Sequence, residues 1–494
     1  MNKNGNDSND ELDFEDAVES IEAEETINDI ASPISKISLS EELNATVVEV
    51  EKTITYDKKQ LKAKIAQAEE SLDLDIQEVE KCLLLFINSQ FNEAEALLKT
   101  KYRSSMYFTL GYATISYLKA LMTFEPAEIV KANDAIKSTI ELAVMYRKES
   151  SLVGTVFGFV KSKTPTYRAM SKLQKHADLV YAEAYLLKAV LSALTDTNFV
   201  AFIREGLNIR ASYSSYKSMF AFIDNLIKEV GVEQLEEYGV DKHFVSGVLF
   251  GIGTFNLVFS LLPNKILRIF EIIGFSGDRT FALNQLEIGG GWPSQYHVKN
   301  LVQNGKKNKV KRNAIEDSNI VASSKLVSFG GLRKVLCDLD LVVYHVVLSS
   351  VIMLPDPDLE FGQHILEAQL KKTPQSFIFK ALRGHFLQIT AKPLEAIAEF
   401  QNVILLQNDW KQLHHLCYWD MSLCSASTQN WLDASNYLKI LFEESNWSKA
   451  VYRYGQAAYQ YMSKSSEKET IAKYMAEVPK LTKKIAGKSI PIEV

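Results

Sequence analysis

The sequence predicts an all-α fold assembled from paired helices, and three observations predict it. Apolar residues recur at three and four rather than two, as in Val79, Cys82, Leu83, Phe86 and Ile87, which is the period of a helix with one buried face. Prolines number only 11 in 494 residues, and Pro126, Pro165, Pro263, Pro293, Pro355, Pro374 and Pro393 fall where the helical pattern breaks. Small residues also return at spacings that suit stacked helix pairs, the mark of a repeat array.

Residues 1–57 come first. Residues 1–50 carry 14 Asp and Glu against 2 Lys, so the chain's −6 is the sum of −12 here and +6 on the rest. Phe14 is the one aromatic before Tyr56. That is too little apolar area to offset a chain entropy of roughly 1–2 kcal/mol per residue, which predicts a disordered acidic tail. Its apolar stretch from Ile34 to Val50 is a candidate docking peptide. The start lacks a basic region, an apolar core and the Arg-rich character of targeting segments. Four cysteines, Cys82, Cys337, Cys417 and Cys424, form no disulfide framework and suit a reducing compartment. Cytoplasm is the expectation, with the nucleus open. A mildly basic body gives nucleic-acid binding no compositional support.

Residues 58–240 read as an N-terminal helical repeat region. Cys82 and Ala94 stand 12 apart with Leu98 following, and Tyr107, Leu110 and Gly111 begin another unit. Residues 241–300 are a central apolar segment, expected to form a helical hairpin outside the repeat. Phe244 to Pro263 carries no charge, and Gly247 with Gly251 forms a GxxxG. A membrane-spanning helix needs about 20 apolar residues, so one reading is a helix that meets a membrane or lipid-droplet surface. The other is a helix buried on all sides; Ser246, Gly253, Thr254, Asn256 and Ser260, closed by Pro263 and Lys265, favour it.

Residues 301–325 are expected as a basic flexible loop. Lys306 to Arg312 holds five basic residues in seven, readable as a nuclear localisation signal, a phospholipid contact, a dock for the acidic tail or a solvated insertion. Residues 326–494 are the C-terminal repeat region. In Phe377 to Leu406, Gly384 falls at position 8, Ala396 at 20 and Phe400 at 24 of a tetratricopeptide repeat, with Pro393 opening the second helix. Gly455 lies 71 residues after Gly384, close to two periods of about 34, and residues 410–442 supply the intervening pair. The fold class expected is therefore a divergent tetratricopeptide-repeat α-solenoid.

Longer runs resemble the tetratricopeptide repeat protein 39 family, which includes the inclusion body clearance protein. They are residues 71–98, 176–192, 247–279, 330–345, 408–420, 446–459 and 481–491, so the resemblance covers about Leu72 to the end. It implies an α-helical scaffold with no established catalytic site, among relatives associated with aggregate clearance or with lipid droplets and lipid metabolism. Relatives usually run on past the Ala486–Pro491 segment, so further helices are expected beyond the point where this chain stops.

Candidate chemistry is thin. Ala486, Gly487, Lys488 and Ser489 look like the end of a phosphate loop, but Thr482 stands where its first glycine belongs and Pro491 blocks the following helix. The glycines of residues 274–279 and 289–292 read as helix caps and turns. His414, Cys417 and Cys424 share a helix face that His385 could approach, yet lack the paired spacing of a zinc site. His176 and His345 read as core histidines. No nucleophile, base and acid set can be assembled by spacing, so no enzyme, cofactor, metal or small-molecule substrate is expected.

A tetratricopeptide array binds peptides along its first helices. With Gly384 and Gly455 at position 8, the face consists of Ile378, Ala381, His385 and Gln388, then Lys449, Tyr452, Gln456 and Tyr459, with His414, Cys417 and Met421 between. The residues expected to bind a protein partner are His385, Gln388, His414, Lys449, Tyr452, Gln456 and Tyr459. The basic clamp that grips chaperone C-termini is absent from these positions. The expected function is a non-enzymatic protein-interaction scaffold; the alternative is a membrane or lipid-droplet protein that uses residues 244–263.

Overall fold

The computed structural model describes residues 58–147, 164–195, 199–261, 277–293, 325–352, 354, 357–464, 466–482, 484–485 and 488–489. The expected acidic tail (1–57), the basic run 306–312 and residues 486–487 lie outside them. By its contacts the chain divides into residues 1–60 and 61–494, and every described residue from Leu61 onward belongs to the second unit.

The helices are α1 (Lys58–Ile87), α2 (Phe91–Lys99), α3 (Met106–Thr123), α4 (Pro126–Arg147), α5 (Thr164–Ala169), α6 (Lys172–Thr195), α7 (Phe199–Val230), α8 (Lys242–Ser260) and α9 (Arg279–Gly290). After them come α10 (Lys334–Val342), α11 (Leu359–Lys372), α12 (Phe377–Ile389), α13 (Pro393–Leu405), α14 (Lys411–Ser427), α15 (Trp431–Glu444), α16 (Lys449–Ser463) and α17 (Lys468–Leu481). Helix α10 runs on through a π-helical turn, Val343–Leu348, into Ser349–Val351. Two-residue strands Lys484–Ile485 and Lys488–Ser489 pair antiparallel, with Lys484 opposite Ser489. Among the described residues the fold is all-α apart from this ladder, as the sequence predicts.

Local chemistry sets the boundaries. Pro126 and Pro393 open α4 and α13, where a missing N–H costs nothing. Asp241, Asp278, Asp358, Ser376, Asn430 and Ser448 each accept a backbone N–H of the first turn of α8, α9, α11, α12, α15 and α16, a cap that contributes about 1 kcal/mol. Gly291 caps α9 at φ +74°, so the glycines of 289–292 do end a helix.

Consecutive helices pack as antiparallel neighbours: α3 on α4, α12 on α13, α14 on α15, α16 on α17. The repeat marks sit at the contacts. A Cβ on Gly384 would stand 2.6 Å from the Phe400 ring, and one on Gly455 2.5 Å from Leu438 Cδ1.

Helix α8 is different. Phe244, Val248, Ile252 and Phe255 join Tyr216, Met219 and Phe222 of α7 in one core cluster. A Cβ on Gly247 would lie 2.5 Å from Leu179 of α6, and one on Gly251 1.9 Å from the Tyr216 ring, so the GxxxG face is spent on neighbouring helices of the same chain. Among the described residues α8 is the one helix long and apolar enough to cross a membrane, and 78% of its apolar window is buried.

The array also contacts itself across a long sequence separation. Ser89 Oγ donates to the Gln375 carbonyl at 2.8 Å and accepts from the Phe377 N–H at 2.7 Å. Phe91 stacks on Trp410 at 4.9 Å, Phe124 meets Trp447 at 4.6 Å, and Asn446 Nδ2 donates to the Thr123 carbonyl at 3.3 Å. The first two helix pairs thus pack against α12, α14 and the α15–α16 turn, which a solenoid with nearest-neighbour contacts alone would not do.

Candidate functional site

The face expected from the repeat register divides by burial. His414 is buried, with Nε2 2.7 Å from the Gln407 carbonyl and its ring stacked on Phe377. Tyr452 is buried against Leu438 and Leu441, its Oη 3.3 Å from Ser445 Oγ. Gln456 is buried and accepts from Arg453 Nη1 at 2.8 Å. Lys449 donates to the Phe442 carbonyl and lies 3.3 Å from that of Glu443, so its ammonium sits at the negative end of α15. Tyr459 is half-buried beside Trp431. Gln388 is half-buried, and its Oε1 has no hydrogen-bond partner among the described residues.

His385 takes part in an arrangement that spacing did not show. Its Nδ1 lies 2.9 Å from Asp420 Oδ2 and its Nε2 3.0 Å from Ser350 Oγ, the order of a hydroxyl–imidazole–carboxylate relay. The surroundings are wrong for acyl transfer. Ser350 donates to the Val347 carbonyl at 2.7 Å and stands at the C-terminal end of a helix, which presents carbonyl oxygens where an oxyanion needs N–H donors. The trio instead ties the Ser349–Val351 segment after the π-helical turn to α12 and α14.

The other candidates resolve into packing. Cys82, Cys337, Cys417 and Cys424 are free and buried, and burial pushes the Cys424 thiol up to about 12 and that of Cys82 to about 11. Among the described residues no group of His, Cys, Asp and Glu could hold a metal. His345 Nδ1 accepts the Asp358 N–H at 3.0 Å. His176 lies between Tyr107 Oη, 2.6 Å from Nδ1, and Asp241 Oδ1, 3.3 Å from Nε2.

Sequence reasoning missed a cavity where the first helix pairs meet the C-terminal ones. It measures about 280 Å3, and Phe86, Leu110, Leu118, Leu336, Ile378 and Trp410 are among its lining residues. Its lining also includes Tyr107, Glu183 and Arg333, which are bonded to one another. Arg333 Nη2 donates to Glu183 Oε2 at 2.7 Å and Nη1 to Tyr107 Oη at 3.4 Å. Arg333 is 2% exposed. Burial works against its charge, but Glu183 and Tyr107 together more than offset this and raise its pKa. Burial pushes Tyr107 up to about 12. Behind it, His176 and Asp241 continue the chain of contacts to Lys172 at 2.9 Å. These residues come from α3, α6, the Gly239–Asp241 turn and the start of α10, so no local motif announces them.

A second feature faces outward. Trp447, Tyr454 and Tyr461 are seven residues apart and 48%, 57% and 64% exposed, with Met462 beside the last. Seven residues are nearly two helical turns, so Tyr454 and Tyr461 make an aromatic stripe on α16, with Trp447 in the turn before it. That spacing was readable in the sequence, though exposure was not.

Stacked helix pairs with small residues at the crossings define the chain as a helical-repeat protein. The sequence matches the family Iml2/Tetratricopeptide repeat protein 39 over residues 80–294 and 323–494, and the chain belongs to that family. It is 31% identical over 422 residues to the tetratricopeptide repeat protein ttc-39B of Caenorhabditis elegans, an alignment that covers 85% of this chain and 65% of that protein. The chain thus spans about two thirds of the length of that relative.

Proposed function

We propose that the protein is a non-enzymatic scaffold of the cytoplasm that holds a protein partner on its C-terminal helix pairs. The observation that carries this reading is the exposed stripe of Trp447, Tyr454 and Tyr461. Aromatic side chains are enriched where interfaces concentrate their binding energy, because they bury large area with few rotatable bonds. Of the face expected from the register, Gln388, Lys449 and Tyr459 retain surface, and on α16 that face lies on another side of the helix from Tyr454 and Tyr461. His385, His414, Tyr452 and Gln456 contribute by fixing the helices that present it. A role in aggregate clearance or lipid homeostasis is proposed on family membership alone.

The test is cross-linking and mass spectrometry from cells that express the full chain or its Tyr454→Ser/Tyr461→Ser variant. The reading expects specific cross-links on α16 that the variant loses at unchanged abundance and Tm. An unchanged partner set would refute it.

A further inference from the structure

We propose that the cavity between α1–α3, α10, α12 and α14 binds an uncharged amphiphile with one apolar chain or ring system and a single hydroxyl group. This goes beyond the scaffold reading and does not rest on it. The walls set the first half of that description. At about 280 Å3 the cavity is nearly twice the engineered apolar cavity of about 150 Å3 that takes up benzene, and it lies just below the roughly 300–1,000 Å3 of pockets for drug-sized ligands. Leu110, Leu118, Leu336 and Ile378 offer contact without hydrogen bonds, which suits a hydrocarbon body.

A peptide does not suit it. Phe91 on Trp410 and Ser89 on Phe377 place the chain's own helices across the C-terminal pairs here. A peptide backbone would also bring N–H and carbonyl groups that these walls leave unpaired.

The polar lining sets the head group. Arg333 and Glu183 are bonded to each other at 2.7 Å, so together they present no net charge. A carboxylate would have to displace Glu183 from the guanidinium, and an ammonium would have to displace Arg333. A hydroxyl does neither, since it accepts from Arg333 while donating to Glu183.

The experiment uses the full chain, the uncharged fluorophore N-phenyl-1-naphthylamine as the cavity probe, and 1-decanol or decanoate as competitors. The expected result is saturable one-site displacement by decanol, at least ten-fold tighter than by decanoate. Leu118→Trp from α3 and Ile378→Phe from α12 fill the space from different helices. Each should weaken decanol at least ten-fold without lowering Tm, and if one fails to fold the other still reports. Glu183→Gln leaves the guanidinium without its counter-charge and should reverse the preference, with decanoate then the tighter. Absence of saturable displacement, or binding that a folded filling variant leaves intact, overturns the site. Equal affinity for decanol and decanoate, or an unreversed preference in Glu183→Gln, overturns the head-group assignment.

Discussion

In α12–α17 the helices meet through one small residue set against one large one, Gly384 under Phe400 and Gly455 under Leu438. In α6–α10 they meet around an apolar helix whose surroundings include buried charges. Arg333 pairs with Glu183, Asp338 Oδ1 accepts from Trp292 Nε1 at 2.6 Å, and Glu287 is fully buried. The first arrangement repeats and tolerates divergence pair by pair. The second joins residues from many helices, so each buried polar group depends on partners far away in sequence. This family member therefore concentrates its buried ion pairing in the centre rather than in the repeats.

The largest effect expected is from Glu183→Ala, which leaves a buried guanidinium unpaired and should destabilise by about 3–5 kcal/mol in urea unfolding. A loss under about 1 kcal/mol would remove the distinction between the two regions. Next, Gly251→Ala forces a methyl against the Tyr216 ring, 1.9 Å from its Cε1, and should cost about 3 kcal/mol. Gly384→Ala, where Phe400 can tilt, should cost about 1–2 kcal/mol. Equal costs would show that α8 has the plasticity of a repeat helix.

Glu287 gives a pH signature that the repeats should lack. Burial, with Asp358 adding, pushes its carboxyl up to about 8. The folded state therefore favours the protonated acid. There is no penalty below the ordinary carboxylate value; it grows as pH rises from about 4.5 and is complete above about 8. Glu287→Gln should thus raise stability by about 2–3 kcal/mol at pH 8 and by less than about 1 kcal/mol at pH 5. A gain independent of pH would sink the assignment. The smallest effect is from Tyr461→Ser on α16, within about 0.5 kcal/mol of the parent, since the side chain is outside the packing.

Legibility in the sequence depended on distance along the chain. Gly384, Ala396 and Phe400 lie within one repeat, so their spacing announced the helix pair. His176 and His345 lie in apolar helices and are buried with partners. Arg333, by contrast, is 150 residues from Glu183 and 226 from Tyr107, and Ser350 and Asp420 are each 35 from His385. Periodicity reports a residue's own helix face, not which distant helix that face will meet. The π-helical turn at Val343–Leu348 also escaped, because Val, Tyr, His and Leu are as compatible with an α-helix.

The contacts of Ser89 with Gln375 and Phe377, and of Thr123 with Asn446, join positions 286 to 323 residues apart. A ribosome adding about 5–20 residues per second takes roughly 16–65 s to travel from Thr123 to Asn446. For most of that interval the nascent chain holds Phe91 without Trp410, and to its end Phe124 without Trp447, the rings they meet in the finished protein. Those two rings are therefore where a folding helper should be cross-linked during synthesis and released once Trp447 has emerged.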